Sequence, residues 1–269
     1  MHQFNWAALS PKICELAKEA GSAILRLYEV SDHANVLLAN KSDDSPLTLA
    51  DLASHHLIVN GLALLTPEIP VVSEEDSVSL SFRKPLGCFW LIDPLDGTKE
   101  FLARNGEFTV NIALIADGKP VWGAVYAPAM NQMFWGGSGF GSFKRVKGDT
   151  MPITVSAPVR VGQSFRVVAS KSHLNAETSL FIDKLGAVEL IQAGSSLKFC
   201  RIAEGSADVY PRLAPTCEWD TAAAHAVLEG AGGQVYGIDG VRLKYGKPDM
   251  LNPSFIAASV SLSQLERTL

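Results

Sequence analysis

Cysteine is scarce and scattered. Cys14, Cys88, Cys200 and Cys217 include no CxxC pair and no histidine at ligand spacing, which argues against zinc or a disulfide framework and suits a reducing compartment. Positive charge is also in short supply: Lys plus Arg number 23 against 28 Asp plus Glu, a formal net charge of -5. No pull toward nucleic acid or anionic lipid is expected, and an anionic substrate has to be met by a local arrangement. Long apolar runs are missing as well. Phe89–Ile92 and Ile112–Ala116 are strand-sized, far short of the ~20 residues of a membrane-spanning helix. Met1–Ser10 lacks a basic start followed by an apolar stretch, so a cytoplasmic address is the expectation. Neither a GxxxxGK[ST] loop nor a GxSxG elbow occurs, and Gly137–Gly141 lacks the third spaced glycine of a dinucleotide fingerprint. It reads as a turn between strands. What is present is core material: 269 residues, 47% apolar and 19% charged, enough for one large domain or two of ordinary size.

Trp6, Leu9, Ile13, Leu16, Ala20, Ile24 and Leu27 recur at helical spacing, with Pro11 starting or kinking that helix. A second helix is predicted over Thr48–Leu65, Thr48 capping it and Asp51 at capping-box distance. The period then shortens. Ile69–Ser73, Gly87–Ile92, Thr109–Ile115, Val121–Tyr126 and Gln132–Trp135 are predicted strands of a largely antiparallel sheet. Beyond them strands Arg166–Ala169, Ala187–Gln192 and Ala207–Tyr210 alternate with helices Ala176–Leu185, Ser195–Ala203 and Asp220–Leu228, an α/β pattern. Thr150–Gln163 reads as the crossover, which divides the chain into an α+β half over residues 1–155 and an α/β half over 156–269.

Trp90–Phe101 carries the sharpest chemical signal. An apolar strand runs into Asp93, Pro94 is expected to end the ladder, and Asp96 follows three residues on, so a tight turn can aim both carboxylates at one point, where a hard cation fits. Gly97 and Thr98 then open a segment whose free amides can approach a phosphate oxygen. Glu74 and Glu75 follow the strand Val71–Val72; a solvated acidic turn is the plain alternative. Asp220 is an ordinary helix cap or a ligand, and Asp51 a capping partner or a catalytic carboxylate. His225, with no second histidine at i+4, reads as packing or surface rather than a ligand. If Asp51, Glu74, Asp93, Asp96 and Asp220 converge, each pair at 4 Å repels by about 4 kcal/mol at an effective dielectric near 20. Protons or divalent cations must compensate, and an all-oxygen set favours magnesium over zinc.

Ser73-Glu74-Glu75, Asp93-Pro94-Leu95-Asp96-Gly97-Thr98 and Trp219-Asp220-Thr221-Ala222-Ala223 followed by Ala231-Gly232-Gly233 resemble the motifs of the inositol monophosphatase superfamily. Lys41–Asp51 and Lys99-Glu100-Phe101 are similar to its bacterial 3'(2'),5'-bisphosphate nucleotidase branch. The resemblance implies a layered αβαβα sandwich and a lithium-sensitive, magnesium-dependent phosphatase that removes the 3'-phosphate of 3'-phosphoadenosine 5'-phosphate (PAP), a by-product of sulfate activation. It implies that Glu74, Asp93 and the Leu95 carbonyl hold one magnesium ion and Asp93, Asp96 and Asp220 a second, with Glu75 near a third, weakly held one. Water is then the nucleophile, oriented by Thr98 and Asp51. Leu95, Asp96, Gly97 and Thr98 would contact the phosphate, with Glu74 and Asp220 also facing the substrate. Ser172, His173, Ser195, Lys198 and Arg212 would contact the nucleotide, a cation there neutralising the 5'-phosphate. Cys217 is a loop thiol that the motif does not require. Association with the cytoplasmic face of an inner membrane, reported for some relatives, is a further expectation of the resemblance. Two alternatives stay open: an inositol or sugar phosphatase, and a non-catalytic phosphate or nucleotide sensor, the latter disfavoured by the joint presence of Asp51 and Thr98.

Overall fold

The computed structural model describes residues 4–29, 37–40, 46–160, 162–169, 175–261 and 264–265. Helix α1 (Trp6–Tyr28) buries Ile13, Leu16, Ala17, Ala20 and Ile24. Asn5 caps it by accepting the Ala8 amide, so Pro11 lies inside the helix rather than at its start. After β1 (Leu37–Asn40) and β2 (Pro46–Thr48), α2 (Leu49–Leu65) begins where the Thr48 cap predicts.

A seven-stranded sheet follows in chain order: β3 (Val71–Ser73), β4 (Cys88–Asp96), β5 (Thr109–Ala116), β6 (Lys119–Ala127), β7 (Gln132–Gly137), β8 (Gly141–Val146) and β9 (Asp149–Ile153). The β3–β4 pair is parallel and the others are antiparallel. A short helix, α3 (Thr98–Leu102), joins β4 to β5. The stretch read as a crossover from Thr150 is strand up to Ile153, because β9 pairs with β8 across a tight turn. The turn at Gly137–Gly141 joins β7 to β8, as expected. The second sheet has the order β11-β10-β12-β14-β13, from β10 (Phe165–Ala169), β11 (Val188–Gln192), β12 (Val209–Arg212), β13 (Gln234–Gly237) and β14 (Phe255–Ala258). Its helices are α4 (Ala176–Lys184), α5 (Leu197–Ala203) and α6 (Glu218–Gly230). The last two strands had no counterpart in the sequence reading.

The strands read as nearly continuous apolar runs because both faces are covered. Along β4, Trp90 and Ile92 pack with α1 and α2, whereas Phe89 and Leu91 pack with α5 and α6. In the second sheet Val168, Tyr210, Phe255 and Ala257 join that same central core, while Val167, Val209 and Ile256 turn to α4. The result is five layers, αβαβα. Each large apolar side chain fully buried this way contributes about 1.5–3 kcal/mol. Helix α6 lies hard against the large sheet: a Cβ on Gly123 would come within 2.2 Å of the Ala223 carbonyl oxygen. Glycine at 123 in β6 therefore makes room for the backbone of α6.

Candidate active site

Three elements deliver carboxylates to one point. Glu74 follows β3, with its amide donating to the Ile92 carbonyl at 3.2 Å. Asp93 sits in β4, 1% exposed, its Oδ1 accepting the Leu95 amide at 3.0 Å. Asp220 lies in the first turn of α6. One oxygen from each of the three falls within 4.8 Å of the others. Removal from water, then the charges of Asp96 and Glu74, push the Asp220 carboxyl well above the usual carboxylate range. Oxygen donors packed this closely, with neither Cys nor His among them, suit a hard divalent cation.

Pro94 does not end the ladder. Strand β4 continues to Asp96, and its register against β5 steps from Asp93↔Asn111 to Asp96↔Thr109. Three residues on one strand thus face two on the other, a β-bulge. Residues three apart on a regular strand point to opposite faces; the extra residue cancels that parity, and Asp93 and Asp96 both line one cavity of about 330 Å³. Asp96 stands outside the group of three. Its Oδ2 accepts from the Ser196 amide at 2.7 Å and from Thr109 Oγ1 and Asn111 Nδ2, both at 3.3 Å.

Asp220 is not the cap of α6 but its third residue. The cap is Cys217, whose amide donates to Asp220 Oδ2 at 2.6 Å, so the thiol read as a loop residue occupies a helix terminus. Asp51 has the same place in α2. Its Oδ2 accepts the Thr48 amide at 2.7 Å and the Thr48 hydroxyl at 2.5 Å, and Thr98 Oγ1 lies 3.4 Å from its Oδ1 and 3.3 Å from the Leu95 carbonyl. Capping and chemistry are both open to Asp51, through different oxygens. Gly97, at φ +90°, makes the turn that presents Thr98; a Cβ there would collide with Ser195 Oγ at 2.1 Å.

Across the cavity stand Lys198 and Arg212. Burial pushes the Lys198 ammonium below its ordinary pKa, and Asp96 pulls it back up. Its Nζ lies 5.6 Å from the Tyr210 ring centroid. Arg212 donates to the Pro215 carbonyl at 3.1 Å, while its buried Nε has no hydrogen-bond partner. Ser195 lines the same wall, its hydroxyl turned to the carbonyls of Asp96 (3.0 Å) and Glu107 (2.7 Å). Ser172 and His173 lie outside the described residues.

Sequence reasoning missed the groups that hold these side chains still. Asn111 and Thr109 were read as parts of an apolar strand; their spacing of two, opposite Asp93 and Asp96, was the available signal. Asn111 Nδ2 also reaches Ser196 Oγ at 2.9 Å, and Ser196 Oγ donates to the Asp220 carbonyl at 2.8 Å, tying the two halves of the chain together. Glu218, 0% exposed, anchors α6: it accepts from Lys247 Nζ at 2.5 Å and from the amides of Gly246 (2.8 Å) and Lys247 (3.1 Å), with Arg83 3.6 Å away. Its partners come from distant loops, so nothing local marked it. Of the two readings of His225, packing or surface, the structure selects packing: it is 1% exposed, its Nδ1 2.8 Å from the Tyr245 hydroxyl.

The five-layer sandwich and its acidic junction define a class. Residues 7–268 match the inositol monophosphatase family, and the chain belongs to that family. Within it, the chain is similar to the 3'(2'),5'-bisphosphate nucleotidase CysQ of Escherichia coli strain K12, 46% identical over 245 residues that cover 91% of this chain and 97% of the relative. The protein of the same name from Buchnera aphidicola is 39% identical over 265 residues, 95% of each chain. Among solved structures, CysQ from Bacteroides thetaiotaomicron superposes with a TM-score of 0.80 at 39% identity, covering 96% of this chain and 100% of that one.

Proposed function

We propose that this protein is a magnesium-dependent 3'(2'),5'-bisphosphate nucleotidase that hydrolyses the 3'-phosphate of PAP to give AMP and phosphate. The observation that carries the reading is the juxtaposition, in one cavity, of the Glu74–Asp93–Asp220 oxygens within 4.8 Å with Thr98, Lys198 and Arg212. Similarity to the nucleotidases named CysQ supports the choice of substrate. Glu74, Asp93, Asp96, Asp220 and the Leu95 carbonyl would hold two magnesium ions, with Glu75 beside a third. When bound, such ions place positive charge on the phosphate oxygens and acidify water.

The chain's own groups account for the rest. Thr98 Oγ1, within reach of Asp51 Oδ1, orients the attacking water and relays its proton to Asp51. Asp51 holds that proton on an oxygen the helix cap does not use. The Gly97 turn lets the backbone of residues 95–98 approach the phosphate, since Gly97 has no side chain to block it. Lys198 and Arg212 receive the second phosphate, the local answer to substrate charge in a chain of net charge -5, and Ser195 shapes the wall beside them. Four free cysteines fit a reducing, cytoplasmic setting.

A phosphate-release panel over PAP, 3'-phosphoadenylyl sulfate, inositol 1-phosphate and fructose 1,6-bisphosphate tests the reading. Expected are the highest kcat/KM on PAP, loss of turnover on chelation with recovery on added magnesium, and inhibition by lithium. Preference for inositol 1-phosphate, or binding of PAP without release in magnesium, would overturn it.

A further inference from the structure

A second cavity of about 550 Å³ lies beside the outer part of α6, lined by Pro85, Leu86, Pro120, Leu243 and Tyr245. That volume is in the usual range for small-molecule sites. Its polar lining runs against the overall charge of the chain: Lys119, Arg242, Lys244 and Lys247 face only Asp117 and Glu229. Arg242 is held by Glu229 at 2.9 Å and Lys247 by Glu218 at 2.5 Å. Lys119 and Lys244 are both exposed and stand in no close ion pair among the described residues, although the charge of Lys119 acts on Glu229. Four cations against two carboxylates, over apolar walls, favour an anion with an apolar body.

The cavity is also wired to the first turn of α6. The Tyr245 hydroxyl lies 2.8 Å from His225 Nδ1, beside this cavity, and 3.2 Å from Thr221 Oγ1, which lines the acidic one. Thr221 adjoins Asp220 and also receives Asn252 Nδ2 at 3.1 Å, the same nitrogen that donates to the Cys217 carbonyl at 2.7 Å. One hydroxyl therefore touches both cavities' linings. We infer that the larger cavity is an effector site for a small organic carboxylate with an apolar body, read at the acid cluster through Tyr245.

The probe is 4-(trifluoromethyl)benzoate, followed by fluorine NMR on the full chain. Saturable binding is expected, with the neutral 4-(trifluoromethyl)benzamide at least about tenfold weaker. Leu243→Trp, which fills the cavity, should abolish binding, and the surface pair Lys119→Ala with Lys244→Ala should weaken it about tenfold. The lysine pair keeps the test decisive if the tryptophan variant does not fold. Absence of saturation, equal affinity for the amide, or wild-type binding by the lysine pair would overturn the site. In the coupled assay, bound benzoate should move the magnesium midpoint of phosphate release by about fivefold in wild type and not in Tyr245→Phe. An unmoved midpoint, or the same shift in both proteins, overturns the effector role. The binding arm needs no turnover, so its failure is separable from failure of the phosphatase reading.

Discussion

Helices α2 and α6 open in the same way. Each has an aspartate at its third position, and in each one carboxylate oxygen accepts the cap amide: Asp51 from Thr48 and Asp220 from Cys217. The second oxygen separates them. In α2 it lies by the Thr98 hydroxyl, at 3.4 Å. In α6 the carboxylate joins Glu74 and Asp93, where like charge accumulates. One local motif thus sets its carboxylate beside a hydroxyl or among other carboxylates according to what the tertiary fold places opposite it. The anchoring differs too. The Thr48 side chain caps α2, whereas α6 is pinned by the buried Glu218 cluster.

The contrast breaks most visibly at the acid cluster. Asp220→Asn or Asp93→Asn should lower kcat by at least about a thousandfold, roughly 4 kcal/mol, in steady-state assays with magnesium. Under chelation the comparison sharpens: Asp220→Asn should raise the thermal midpoint by relieving repulsion, while Asp51→Asn should lower stability by about 1 kcal/mol as its capping weakens. Added magnesium should then stabilise wild type far more than Asp220→Asn.

Next in size is the anchor. Glu218→Ala leaves Lys247 and Arg83 without their carboxylate and should cost about 3–5 kcal/mol in denaturant unfolding, an effect without a counterpart at the start of α2.

Asp51→Asn should slow turnover by about a hundredfold and Thr98→Ala by about tenfold, with KM nearly unchanged in both. A large rise in KM would place the pair in binding instead.

The smallest effect lies away from both helices. Burial pushes the Glu204 carboxyl up, but hydrogen bonds from Lys144 and Arg201 outweigh it and hold the group below its usual range. Its stabilisation is present above the unfolded value of about 4.3 and is lost as pH falls through the lower folded value. Thermal midpoints measured across that acid range should fall less steeply in Glu204→Gln than in wild type.

Helix α2 and its capping box, the strands β4 to β7 and the α/β alternation of the second half were legible because their signals are local: apolar period, caps and turn residues. Glu74, Asp93, Asp96, Thr98 and Asp220 were legible as a set only through their resemblance to known motifs. Other features were hidden. The bulge at Pro94 depends on what β5 presents opposite it, and the brief strands β14 and β13 are placed by long-range pairing, β14 beside β12 and β13 beside β14. Asn111, Ser196 and Glu218 act through partners far along the chain: Asn111 and Ser196 are 85 residues apart, Ser196 and Asp96 are 100 apart, and Glu218 meets Arg83.

The order of acids, glycines and helix starts along this chain determined which groups were available: carboxylates at strand and helix ends, a glycine that frees the backbone at residue 97, and small residues where α6 meets the sheet. Only the tertiary structure decided which carboxylates converge, which one meets the Thr98 hydroxyl and where the surface lysines gather. The reason is physical. Capping and periodicity act over a few residues, whereas charge repulsion and desolvation depend on distances that exist only once both sheets have closed on α6.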